Sequence, residues 1–152
     1  MAALMSDLPG QVESPFRYRV YWEDTDAGGV VYHARYLAFF ERARSDWLLA
    51  MGFPQVPMRR EQNRLFVVRR VDTRYIMPAR LEDELEITIG VEHLRAASLT
   101  FSQRMVRARD GELLATARVD AACLAADRFV PARMPEALRA AIQRQQYKQE
   151  AQ

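Results

Sequence analysis

Val20-Tyr21-Trp22-Glu23-Asp24-Thr25-Asp26-Ala27-Gly28-Gly29-Val30-Val31-Tyr32-His33 is the stretch on which the reading of this chain turns. Two carboxylates, Asp24 and Asp26, stand one residue apart where a strand-like segment ends. The pair Gly28-Gly29 follows, and an aromatic helical pattern begins just past His33. The first backbone N–H groups of a helix have no partner inside the helix. A carboxylate facing them can do hydrolytic chemistry without Ser, Cys or metal, because it supplies a base or nucleophile and the helix supplies donors for a developing oxyanion.

Upstream of the loop, Tyr18, Val20 and Trp22 alternate, which predicts a strand over residues 17–23 and a loop over 24–31. Downstream, Tyr36, Phe40, Ala43, Trp47 and Met51 recur at helical spacing, and Leu37, Phe39 and Leu48 widen the apolar face. This predicts a helix over 36–51, buried on most sides and stopped by Gly52 and Pro54. Residues 54–64 read as a polar connection. The period then drops to two. Strands are predicted over 65–77, over 85–91, through Leu99, Phe101 and Met105, and over 113–123. Turns fall at 78–82 and at Asp110-Gly111. Residues 128–135 form a proline-bearing connection, and 135–149 a polar, weakly amphipathic helix. One long apolar helix against a mostly antiparallel sheet is an α+β architecture, with about five strands wrapped around the helix. The bare edges of such a sheet point to an oligomer.

The chain has 152 residues, 49% of them apolar, and a formal charge of +2. That is the size of one domain with a real core. The expected division is a mobile tail over 1–15, the domain over 16–135 and a C-terminal helix or tail over 136–152. No basic stripe with interleaved aromatics is present, which argues against nucleic acid. A phosphorylated small ligand needs only a few well-placed arginines and remains compatible. The single cysteine, Cys123, allows no internal disulfide and reads as a buried core thiol in a reducing compartment. The N-terminus lacks signal-peptide character, and no apolar run approaches the roughly 20 residues that span a membrane. A cytoplasmic location is expected.

The sequence has no G-x-S-x-G, H-E-x-x-H, P-loop or G-x-G-x-x-G motif. Two histidines, His33 and His93, argue against a His-rich metal site. A cation held by Glu23-Asp24-x-Asp26 has no nucleotide-binding βαβ pattern beside it, so no metal is expected. Asp26 then reads in two ways. It is a turn or helix-cap aspartate, or it is the base or nucleophile for an activated acyl group such as a thioester. In the second reading Gly28 and Gly29 let the backbone approach the ligand. The N–H groups of Tyr32, His33 and Ala34 would then polarise the carbonyl. Asp24 is assigned a supporting role, bonding loop N–H groups. The His33 side chain is either an acid–base partner or simply part of the helix start. Glu41, with Arg44 three residues on, reads as a helix ion pair in preference to a second site carboxylate.

Residues 21–33, followed by Tyr36 and by Phe40-Glu41-Arg42-Ala43-Arg44, resemble the 4-hydroxybenzoyl-CoA thioesterase family of hot-dog proteins, most nearly its Tol–Pal-associated acyl-CoA thioesterase branch. The resemblance continues through Phe66-Val67-Val68-Arg69, Pro78-Ala79-Arg80-Leu81 and Ser98-Leu99-Thr100-Phe101-Ser102-Gln103-Arg104, and covers about residues 16–135. It implies a hot-dog fold and dimers made by joining sheets, often paired into tetramers, with active sites between subunits. It places the catalytic aspartate on Asp26 and a backbone oxyanion donor near His33. It implies an acyl-CoA substrate and no cofactor. The CoA phosphates would meet Arg95 and Ser98, with Arg133 a further candidate. Relatives carry more charge where Ala96 and Ala97 stand here. Two other readings share the fold. One is a hydratase or dehydratase using His33 for proton transfer. The other is a non-enzymatic module that binds acyl-CoA or an acyl carrier protein for envelope machinery and does not need Asp26.

Overall fold

The computed structural model describes residues 15–150. Residues 1–14 of the expected tail lie outside the described residues. The chain forms β1 (Phe16–Arg19), a short 3-10 turn (Trp22–Asp24), α1 (Arg35–Ala50), α2 (Gln55–Gln62) and β2 (Arg64–Tyr75). It continues through β3 (Glu84–Leu94), β4 (Ser98–Arg107), β5 (Leu113–Ala125), β6 (Val130–Pro131) and α3 (Glu136–Glu150). The strands form one antiparallel sheet in the order β1-β3-β4-β5-β2, with β6 also on β5.

The two strands at opposite edges of this sheet touch the same helix. Tyr18 of β1 lies 6.3 Å from Phe39, and Tyr75 of β2 lies 5.1 Å from Tyr36, ring centre to ring centre. A sheet whose two edges both reach α1 is curled around it. This is the hot-dog arrangement that the sequence predicts. The period-two positions Leu85, Ile87 and Ile89, then Leu99, Phe101 and Met105, face inward and are buried. In β5 the inward residues are mostly small, namely Ala115, Ala117, Val119 and Ala121. They share one core with the bulky Phe39, Phe40 and Trp47 of α1, where small residues leave room for large ones.

One polar side chain joins sheet to helix at the centre. Gln103 is 1% exposed. Its Nε2 donates to the Phe40 carbonyl at 3.0 Å, and its Oε1 accepts from Arg44 Nη1 at 2.9 Å. The Arg44 guanidinium lies over Phe101, and burial lowers its pKa. The expected Glu41–Arg44 ion pair is therefore not what holds Arg44. That side chain turns inward to Gln103, while Glu41 stays exposed and acts on it only through space. Gln103→Leu would strip both bonds and leave a half-buried guanidinium without an acceptor. It should lower stability by about 2–3 kcal/mol in urea unfolding. An unchanged midpoint would show that the bridge is dispensable.

Several expectations are corrected. The first strand ends at Arg19, and just beyond it Asp24 captures Tyr21 N–H where Trp22–Asp24 wind into a 3-10 turn. Trp22 is thereby turned out, 81% exposed. The expected polar connection contains α2, closed by Asn63 at φ 54°. α1 is not buried on most sides, since Leu37 and Leu49 stand on a face open to solvent. β6 adds a sixth strand. α3 contributes Leu138, Ala141 and Ile142 to the main core. Cys123 is buried as expected, and burial raises its thiol pKa.

Candidate active site

The loop that carries Asp26 is a miniature hairpin. Tyr32 N–H donates to the Asp24 carbonyl at 2.9 Å and Asp26 N–H to the Val30 carbonyl at 2.9 Å. Thr25 and Val31 form a bridge between these bonds. Gly29 N–H closes the turn on the Asp26 carbonyl at 3.0 Å, and Gly29 takes the left-handed φ of 77° that the turn requires. Asp26 Oδ1 accepts from Gly28 N–H at 2.8 Å. A Cβ on Gly28 would stand 3.1 Å from that oxygen. Any side chain at position 28 would press on the carboxylate and require it to shift by a few tenths of an ångström. Asp26 is exposed, and its second oxygen takes no partner among the described residues. Burial raises the Tyr36 phenol in the first turn of α1, and the nearby Asp26 charge adds to that rise.

Asp24 has a different fate. It is 1% exposed. Its Oδ2 accepts from Tyr21 N–H at 2.9 Å, and its Oδ1 accepts from Arg35 Nε at 3.0 Å and Nη2 at 2.6 Å. The hydrogen bond to Asp24 raises the Arg35 pKa. The 3-10 turn thus separates two aspartates that an extended strand would place on one face. Asp24 points in and buckles the loop to α1, which is the supporting role expected of it. Asp26 points out.

The start of α1 is open. Its N-cap residue, Ala34, has no side chain to cap the helix. Among the described residues, the N–H groups of His33 and Ala34 take no acceptor. Tyr32 must be removed from the expected donors, because its N–H is already bonded to Asp24. Its ring lies 4.5 Å from the exposed His33 imidazole. The His33 carbonyl accepts from the Tyr75 hydroxyl at 2.8 Å.

Arg95 and Ser98 lie at the other end of the sheet, where Arg95 N–H donates to the Ser98 carbonyl at 2.8 Å. They line a surface depression of about 480 Å³ with Arg69, Arg70, His93 and Arg118. Arg133 flanks the same turn, since Met134 N–H donates to the Ala96 carbonyl. Sequence reasoning missed Arg69, Arg70 and Arg118 as members of this group. The adjacent pair Arg69-Arg70 was the available signal. One chain does not bring Asp26 together with Arg95, Ser98 and Arg133. Asp26 sits where β3 begins, and the basic depression sits where β3 ends and β4 starts. The ten residues of β4 span about 34 Å. A third feature, an apolar pocket of about 120 Å³, lies between α1 and the start of β2, among Leu48, Phe66 and Phe101 with Glu41 and Arg44 at its wall. No cluster of three or more metal-ligating residues and no helix long and apolar enough to cross a membrane occur among the described residues.

A carboxylate and open helix-start N–H groups stand on a hot-dog scaffold, an arrangement with the donors and the base that acyl-transfer hydrolysis calls for. The chain belongs to the thioesterase-like superfamily, whose sequence profile matches residues 20–142. It is 42% identical over 127 residues to the acyl-CoA thioesterase YbgC of Haemophilus influenzae, covering 84% of this chain and 92% of that one. It is 45% identical over 120 residues to the acyl-CoA thioester hydrolase YbgC of Escherichia coli O6:H1, covering 79% and 88%. Among solved structures, a probable thioesterase from Bartonella henselae superposes with a TM-score of 0.75 at 35% identity over 80% of this chain and 98% of that one. A DHNA-CoA thioesterase from Staphylococcus aureus gives 0.82 at 24% identity over 91% and 95%, a likeness of fold.

Proposed function

We propose that this acyl-CoA thioester hydrolase uses Asp26 as base or nucleophile and the N–H groups of His33 and Ala34 as oxyanion donors. The observation that supports this most directly is the uncapped start of α1 beside a carboxylate with one free oxygen. The thioester carbonyl oxygen sits on the two N–H groups, which stabilise the negative charge as the carbon becomes tetrahedral. The carboxylate either takes a proton from the attacking water or attacks the carbon itself, forming an anhydride that water then opens. In both routes the carbon–sulfur bond breaks, and the products are a free acid and CoA. The CoA phosphates bind the guanidinium groups of Arg95, Arg69, Arg70 and Arg118, with Ser98 and Arg133 at the margin. A thioester of acyl carrier protein presents the same carbonyl and is a second form of substrate. The test is thiol release from short, long and aromatic acyl-CoAs. Release from none would sink the proposal, and binding without release would return the binding module.

The separation of Asp26 from the basic depression fits a dimer made through β2. Among the described residues this twelve-residue strand pairs with no strand but β5, and it leaves Val68, Val71 and Tyr75 partly exposed. Such an edge is a template for another strand. Antiparallel pairing with a second copy sets the start of one β2 against the end of the other. The depression of one chain then approaches the partner's catalytic loop. Val71→Lys would place like charges near the centre of the joined edges. Light scattering should report a single-chain mass, with thioester hydrolysis falling in step and circular dichroism unchanged. A surviving dimer would move the interface elsewhere.

A further inference from the structure

Tyr75 belongs to the strand at the sheet edge, yet its hydroxyl ends at the start of α1. It donates to the His33 carbonyl at 2.8 Å, while its ring packs edge-on against Tyr36 with centres 5.1 Å apart. Tyr36 is itself fixed, since its hydroxyl oxygen accepts from Ala79 N–H at 2.9 Å. The His33 carbonyl and the Ala34 N–H belong to one planar peptide unit. Holding the oxygen of that unit sets the direction of its N–H. A hydrogen bond at the oxygen also polarises the peptide and strengthens the N–H as a donor. The neighbouring unit is held in the same way, because the Tyr32 carbonyl accepts from Arg35 N–H at 2.8 Å and shares its plane with the His33 N–H. Both open donors therefore sit on peptides whose carbonyls are tied. One tie comes from the helix itself. The other is a phenol delivered from β2.

We infer that Tyr75 is a positioning residue for thioester hydrolysis, orienting and polarising the His33–Ala34 peptide so that Ala34 N–H is aimed at the oxyanion. This rests on the proposed donors and adds the group that aligns one of them. Tyr75 does not touch the reacting atoms. Its effect is on the transition state, where negative charge has gathered on the carbonyl oxygen, more than on the bound ground state.

Tyr75→Phe removes one hydroxyl and keeps the ring on Tyr36. Its kcat should fall about tenfold with KM within about twofold of wild type, the pattern of an interaction made in the transition state. A second readout does not need turnover. A CoA trifluoromethyl ketone adds water or the Asp26 carboxylate across its carbonyl and so places a tetrahedral carbon and its oxygen in the site, whereas a CoA thioether carries no carbonyl. The variant should bind the ketone about tenfold more weakly and the thioether as wild type does. An unchanged kcat with unchanged ketone affinity, or equal losses for both ligands, would overturn the inference. If the wild type cleaves no thioester, the proposed function falls, and the ketone-to-thioether ratio still decides the role of Tyr75. Light scattering on the variant checks that the loss does not come from subunit separation.

Discussion

Asp26→Asn is expected to lower kcat for acyl-CoA hydrolysis by roughly 10²- to 10⁴-fold, the range that a positioned proton-transfer group contributes. The substitution is nearly isosteric. An asparagine oxygen can still accept the Gly28 N–H that Asp26 Oδ1 holds at 2.8 Å, so the miniature hairpin should survive. The lost property is the negative charge, with its capacity to take a proton or attack a carbon. CoA affinity should be retained, because the basic depression contacts other parts of the fold. The measurement is thiol release under saturating substrate, with the melting curve and CoA binding as controls. Undiminished turnover would remove Asp26 from the mechanism.

The second large effect is on stability. Phe40→Ala should cost about 3–5 kcal/mol in urea unfolding, out of the 5–15 kcal/mol usual for a domain. Phe40 is 1% exposed on the helix that the sheet surrounds, and its carbonyl takes the Gln103 bond. Deleting the ring leaves a cavity lined by groups that the curled sheet keeps from closing in. Leu49→Ala is the internal control, since Leu49 lies on the same helix but is 60% exposed. It should change stability by no more than about 0.5 kcal/mol. Comparable losses at the two positions would contradict the central placement of α1.

α1 could be read from the sequence because its apolar residues recur with a helical period, and packing reinforced what the period indicated. β3, β4 and β5 were equally plain, with inward residues at every second position. The 3-10 turn was not. Tyr18, Val20 and Trp22 alternate as a strand would, and the bond from Tyr21 N–H to the Asp24 side chain leaves no mark on that alternation. α2 is eight residues long, has no capping side chain and buries only Met58, so no local period marks it. At the site, Asp26 stood out through its neighbours Gly28 and Gly29. Which N–H groups stay open did not, since Tyr32 loses its donor to an Asp24 carbonyl eight residues back. The basic depression was legible at Arg95 and Ser98, with Arg133 at its flank. Arg70 and Arg118 join it through strand register, which pairs Arg70 with Asp120 and Asp72 with Arg118.

The placement of Asp26 and of the arginine-rich depression at opposite ends of one sheet has a consequence for regulation. If two copies share the work as proposed, the cell's supply of the protein sets more than the number of catalysts. Halving it near the dissociation constant removes more than half of the working sites, because mass action governs their assembly. A copy damaged only at the carboxylate and another damaged only at the arginines would then rescue each other when mixed. Each mixed pair would hold one intact site, so two inactive preparations would together regain turnover.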